Sequence, residues 1–107
     1  MRLLYVTSDS RETQWLGEAL SADPASVVQL DEALGAEAGL ARLRDEVFDA
    51  IVLSHVPGMI DALEMAEGIR SIGVEEPILI LGEEPAGEFS ALVYEIGADA
   101  YLHTPST

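Results

Sequence analysis

The sequence predicts an α/β domain, a doubly wound parallel sheet with helices on both faces. Three observations predict it. Residues 3–6 (Leu-Leu-Tyr-Val), 50–53 (Ala-Ile-Val-Leu) and 78–81 (Ile-Leu-Ile-Leu) are short unbroken apolar runs bounded by turn residues. Such runs are too short for buried helices and suit strands of a parallel sheet that is covered on both sides. Between them lie longer segments whose apolar residues recur at helical spacing. The alternation continues along the whole chain of 107 residues, giving βαβαβαβαβ.

Taken in order, residues 3–6 form the first strand, which ends in Thr7-Ser8-Asp9-Ser10. Ser10 is placed to cap the first helix, and Glu12 is favourable in its first turn. That helix runs to about Ala22, with Trp15, Leu16, Ala19 and Leu20 on one face, and Asp23-Pro24 stops it. Val27, Val28 and Leu30 belong to the second strand. The second helix covers about 36–46 and buries Leu40, Leu43 and Val47. The third strand is 50–53. The third helix spans about 60–71, with Leu63, Ala66 and Ile69 inward, and ends at Gly73. Pro77 opens the fourth strand at 78–81, and a loop follows at 82–87. The fourth helix, about 88–96, closes at Gly97. The fifth strand is 99–103, terminated by Thr104-Pro105. The alternation thus ends on a strand, which leaves one face of the sheet short of cover. A final helix is the natural cover, and we expect either a longer protein or a partner to supply it.

Charge excludes several classes of function. Twenty acidic residues face five arginines, with no lysine, for a net charge of −15. Direct binding to nucleic acid or to an anionic membrane is not expected of such a surface. Self-repulsion strains the compact state in dilute buffer, whereas in molar salt the screening length falls to about 3 Å. An extreme halophile is therefore the expected source; the alternative is a mildly acidic mesophilic domain. No cysteine is present, so there is neither a disulfide frame nor a thiolate metal site. The apolar run behind Met1-Arg2 is too short for a signal peptide, and the cytoplasm is the expected location.

In an open α/β sheet, chemistry gathers beyond the carboxyl ends of the strands. The third strand ends there in Ser54-His55 before the break at Pro57-Gly58. Ser54 with His55 as base would be a nucleophile, but adjacent strand residues point to opposite faces, and no Gly-x-Ser-x-Gly elbow surrounds the serine. His55 and His103 share that rim without the sequence spacing of a metal site. Asp49 lies at the opposite rim and reads as a turn residue. Glu75-Glu76 and Glu83-Glu84 lack calcium-loop spacing and read as solvated acidic surface.

The pattern resembles the CheY-like receiver domain of two-component signalling over nearly the whole chain. Residues 3–9 resemble its first strand with the acidic pair, and 48–54 (Phe-Asp-Ala-Ile-Val-Leu-Ser) its third strand, whose end carries the phosphoacceptor aspartate. Pro57-Gly58-Met59 resembles the loop that follows. Residues 77–81 resemble the fourth strand, which normally ends in a hydroxyl residue. Residues 97–105 (Gly-Ala-Asp-Ala-Tyr-Leu-His-Thr-Pro) resemble the fifth strand with its aromatic and its Lys-Pro. The resemblance implies a flavodoxin-like five-stranded sheet of order 2-1-3-4-5, here lacking the last helix.

The residues that carry phosphorylation in that family are replaced. The acidic pair falls on Thr7 and Ser8, with Asp9 one place late. The phosphoacceptor position is Ser54, the hydroxyl position Gly82 and the lysine position Thr104. The run from Ser54 to Pro57 is one residue shorter than the usual pattern. Only the switch aromatic is kept, as Tyr101. Aspartyl phosphorylation needs a carboxylate nucleophile, a hard cation held by carboxylates and a fixed positive charge on the transferred group. From Ser71 to Thr107 the only candidate cation is His103.

We therefore expect a degenerate, non-catalytic pseudo-receiver spanning 1–107, the N-terminal part of a longer signalling protein. It would act by contact with a protein partner or output domain through the fourth helix and fifth strand, and a homodimer is a further option. No cofactor is expected. Asp9 is the one weak candidate for magnesium, and an exposed helix-start acid is its simpler reading. Two alternatives stay open: a phosphoacceptor with shifted Asp9–magnesium chemistry, and a small-ligand-binding domain of flavodoxin type. Tyr101 is either a two-position aromatic or a plain strand residue packed on the fourth helix.

Overall fold

The computed structural model of the chain describes residues 1–22 and 27–104. The expected helix stop at Asp23-Pro24 and the terminator Pro105 lie outside the described residues. Five strands and four helices alternate: β1 (Arg2–Thr7), α1 (Ser10–Ser21), β2 (Gln29–Leu34), α2 (Ala36–Asp45), β3 (Ala50–His55), α3 (Ala62–Ser71), β4 (Ile78–Gly82), α4 (Ala86–Glu95) and β5 (Ala100–His103). The strands form one parallel sheet of order β2-β1-β3-β4-β5. The fold class and strand order match the expectation.

The two faces of the sheet are covered unequally. On one, Leu4, Val6, Ile51, Leu53, Ile78 and Ile80 pack against Leu43 of α2, Ala62, Met65, Ala66 and Ile69 of α3 and Val93 of α4. Strand alternation sends Tyr5, Val52, Leu79 and Leu81 to the other face, where Leu16 of α1 and Leu30 of β2 meet them. Among the described residues α1 is the only helix on that side.

Helix ends follow local chemistry. The Asp61 carboxylate accepts from Leu63 N and Glu64 N at the start of α3. Gly73 and Gly97 take φ of +89° and +93° just past α3 and α4, the left-handed conformation that stops a helix.

Several expectations need correction. Asp9, not Ser10, caps α1: its side chain accepts from Arg11 N. Trp15 is 57% exposed and Ala19 is also exposed, because among the described residues no second helix lies beside α1 to bury its flank. The second strand lies further along than Val27–Leu30. Gln29–Leu34 pairs with β1 from Arg2 to Thr7, and an edge strand tolerates its polar residues because one flank is free. Val47 is exposed, and the next residue, Phe48, is buried in its place. β3 and β4 run on to His55 and Gly82, and α3 starts at Ala62, since Ile60 is held in a bridge with Val56. α4 begins at Ala86 and β5 at Ala100. Asp99 instead stands before β5, where its carboxylate accepts from Ile78 N at 2.8 Å.

Candidate functional site at the carboxyl rim

β1, β3, β4 and β5 end together at one rim, and this brings Thr7, Ser54, Gly82 and Thr104 into neighbouring positions. Thr7 (0% exposed) and Ser54 (5%) are the buried polar residues there. A buried hydroxyl needs a partner. Both find it in Glu12, one turn into α1. Glu12 Oε2 accepts from Thr7 Oγ1 at 2.8 Å, from Ser54 Oγ at 3.0 Å and from Tyr5 OH at 2.9 Å. Tyr5, Thr7 and Ser54 all point to the α1 face by strand alternation, and the first turn of α1 lays Glu12 over them. Burial, reinforced by the Glu12 carboxylate, pushes the Tyr5 phenol well above its usual pKa. Sequence reasoning treated Glu12 only as a helix-start acid and left out Tyr5.

Asp9 is turned elsewhere. Its carboxylate caps α1 and receives Arg11 Nε at 3.1 Å and an Arg11 terminal nitrogen at 2.8 Å, and these bonds hold its pKa below the usual carboxylate range. Ser8 is half-exposed in the bend between β1 and α1. Among the described residues no three His, Asp or Glu side chains converge as a metal ion requires. A magnesium ion of the kind the family resemblance implies does not fit this rim: hydroxyls stand at Thr7 and Ser8, and Thr7 is already committed to Glu12.

Ser54 and His55 point to opposite faces, as expected, so they make no nucleophile–base pair. His55 Nδ1 accepts from Ala62 N at 3.1 Å and so seats the start of α3. Its ring packs on Phe89 at 5.0 Å, and Phe89 meets Tyr101 edge-on at 4.6 Å. Tyr101 OH donates to the Glu84 carbonyl at 2.6 Å, and His103 Nδ1 lies 2.9 Å from the same oxygen. β4 separates the two histidines. Gly82 leaves room for this arrangement: a β-carbon there would stand 3.2 Å from the Tyr101 hydroxyl and 3.3 Å from His55 Cβ. Thr104 folds back on the same strand end, its N and Oγ1 donating to the Gly82 carbonyl at 2.7 and 3.1 Å. Asp49 lies at the opposite rim, as expected, and accepts from Arg2 N at 2.6 Å.

No protein-family model matches the chain. It is 32% identical over 105 residues to the response regulator MprA of Mycobacterium leprae, covering 98% of this chain and 45% of that protein. It is 31% identical over 106 residues to the transcriptional regulatory protein TctD of Salmonella typhimurium, covering 98% of this chain and 46% of that one. The chain thus spans about half the length of these curated relatives. Among solved structures, the receiver domain of Francisella response regulator 1452 superposes with a TM-score of 0.84 at 19% identity, over 99% of this chain and 85% of that one. A two-component response regulator from Clostridium difficile gives 0.84 at 20% identity, over 100% and 85%. These two likenesses speak for the fold.

Proposed function

We propose that this chain is a CheY-like receiver domain of the response-regulator kind that signals without aspartyl phosphorylation, as a pseudo-receiver that acts by protein contact. One observation carries this reading: the residue at the phosphoacceptor position, Ser54, donates to Glu12 along with Thr7 and Tyr5. The serine offers no carboxylate to accept a phosphoryl group, and the nearby carboxylate is engaged by three hydroxyls. The chain carries no lysine and its last arginine is Arg70, which binds the Gly97, Val74 and Glu76 carbonyls and Asp99.

The output is a protein partner or an output domain, engaged through α4 and β5. Exposed Leu92 (46%) and Tyr94 (59%) on α4 support that surface. The module works in the cytoplasm of a salt-adapted cell. The net charge of −15 supports the salt adaptation, because screening relieves it. None of the helices is long and apolar enough to cross a membrane, among the residues described.

The test is incubation with magnesium and acetyl phosphate in molar potassium chloride, followed by intact-mass measurement and an amide NMR titration with beryllofluoride. No mass gain, and no saturable shifts at Thr7, Ser8, Asp9, Ser54 and Thr104, is the expected result. A covalent phosphate on Asp9, or shifts spreading from Asp9 to Tyr101, would establish shifted magnesium chemistry instead. In parallel, the unfolding midpoint is expected to rise steadily with potassium chloride; a flat profile would remove the salt-adapted reading.

A further inference from the structure

The start of α3 leans on a histidine. The first N–H groups of a helix have no partner within it. In α3 the Asp61 carboxylate takes those of Leu63 and Glu64, at 3.1 and 3.2 Å. Ala62 N instead donates to His55 Nδ1 at 3.1 Å, and Ala62 is fully buried. A backbone N–H can only donate, so His55 Nδ1 is bare and Nε2 holds the proton of the neutral ring. His103 stands in the same register across Gly82 and shows the reverse. Its Nδ1 faces the Glu84 carbonyl at 2.9 Å, an acceptor, so that nitrogen carries the proton. A second proton on each ring therefore leaves the His103 bond intact and abolishes the one at His55.

The titratable groups on the elements around the His55 ring are Asp61 and Glu64 of α3, Glu83 and Glu84 beyond β4, Glu88 of α4, and Tyr101 and His103 of β5. None forms an ion pair with His55 among the described residues. The Asp61 carboxylate is occupied by its own helix and the Tyr101 hydroxyl by the Glu84 carbonyl. A cationic ring would also face the positive end of the α3 dipole. Backbone bonds of 3.0 and 2.8 Å between Val56 and Ile60 close the loop that follows, so it joins His55 to Ala62 as one short unit.

We propose that His55 is an acid-sensitive latch between the start of α3 and the aromatic corner of α4 and β5. With the ring neutral, Nδ1 holds Ala62 N, and the ring lies on Phe89 at 5.0 Å, which in turn meets Tyr101. Imidazole changes charge between about pH 5 and 8, and the added proton would stand between two donors. The ring must then leave Ala62 N, which strands a buried donor, and its departure withdraws one side of the Phe89 packing. The start of α3 and the Phe89–Tyr101 pair loosen together. The latch stands whether or not the domain accepts a phosphoryl group or uses α4 and β5 for output.

The experiment follows amide and imidazole resonances in molar potassium chloride from about pH 8 to 5. At the upper end the His55 ring should show a bare Nδ1 and a protonated Nε2. As the pH falls, the Ala62 and Phe89 amides should shift with the midpoint of that ring. Ala62 hydrogen exchange, corrected for its intrinsic pH dependence, should quicken about tenfold. His55→Asn, whose amide oxygen can accept from Ala62 N at every pH, should abolish both responses, and His103→Asn should leave them in place. A protonated Nδ1 at the upper end, or an Ala62 amide indifferent to the ring's titration, would overturn the latch. So would the same response in His55→Asn, or its loss in His103→Asn.

Discussion

The two rims of the sheet handle charge in opposite ways. At the amino rim, charge meets charge. Arg2 reaches Asp31 at 2.9 Å and Glu46, while Arg42 reaches Asp31 at 2.8 Å and the same Glu46. Both guanidiniums lie over the Phe48 ring, at 4.4 and 5.5 Å from its centre. At the carboxyl rim, a carboxylate meets hydroxyls: Glu12 faces Tyr5, Thr7 and Ser54. The amino rim is a structural clasp that ties β1, β2 and α2 together. The carboxyl rim's ion pair, Arg11 with Asp9, stands outside on the exposed start of α1, and no cation contacts Glu12 among the described residues. The difference teaches that Arg2 and Arg42 stabilise the frame, while the arginine at the carboxyl rim, Arg11, is bound to Asp9 and Glu12 is met by hydroxyls.

The comparison can be broken at either rim. The largest effect is expected for Phe48→Ala, which removes the 2%-exposed ring beneath both arginines. It should cost roughly 3–5 kcal/mol in chemical denaturation; a loss below 1 kcal/mol would mean that the clasp does not depend on the ring. Next is Glu12→Ala, which strips the acceptor from three hydroxyls, all on buried residues. It should cost about 3 kcal/mol, and a neutral result would show that water replaces Glu12 freely.

Ser54→Asp sharpens the contrast. It sets a second carboxylate against Glu12 and should cost about 2 kcal/mol near neutral pH. Glu12→Gln should recover most of that loss, so the pair is expected to be non-additive in a double-mutant cycle. Additive losses would deny that the two side chains meet in solution.

The smallest effect lies at Glu46, whose carboxyl is held down to about 2 by Arg42 and then Arg2, from an ordinary 4.5. A depressed carboxylate stabilises the fold fully above its unfolded pKa and loses that contribution as pH falls through the folded value. The stability gap between the protein and Glu46→Gln should be constant above about pH 5 and close between 4.5 and 2. A gap that does not change with pH would show that the bonds to Arg2 and Arg42 do not persist in solution.

The central strands were legible because Leu3 to Val6, Ile51 to Leu53 and Ile78 to Leu81 are apolar on both faces, a pattern that burial alone imposes. β2 was not, because Gln29-Leu-Asp-Glu-Ala-Leu34 is an edge strand whose Asp31 is neutralised by arginines distant in sequence. Trp15 misled for a related reason. Helical spacing marks the apolar side of a helix but says nothing about whether a second helix lies beside it. The rim positions Thr7, Ser54, Gly82 and Thr104 followed from strand ends. Glu12 did not, since its role depends on three hydroxyls converging from two strands. The usable signal was the alternation of Tyr5 and Thr7, which sends both to the face that α1 covers.

Gly82 has one more consequence. With no β-carbon at that position, the phenol of Tyr101 sits over the end of β4 beside Phe89, tethered to the Glu84 carbonyl. A side chain at the end of β4 would have to push the phenol or His55 aside by a few tenths of an ångström, so the seating of Tyr101 against Phe89 is tied to the absence of a β-carbon there.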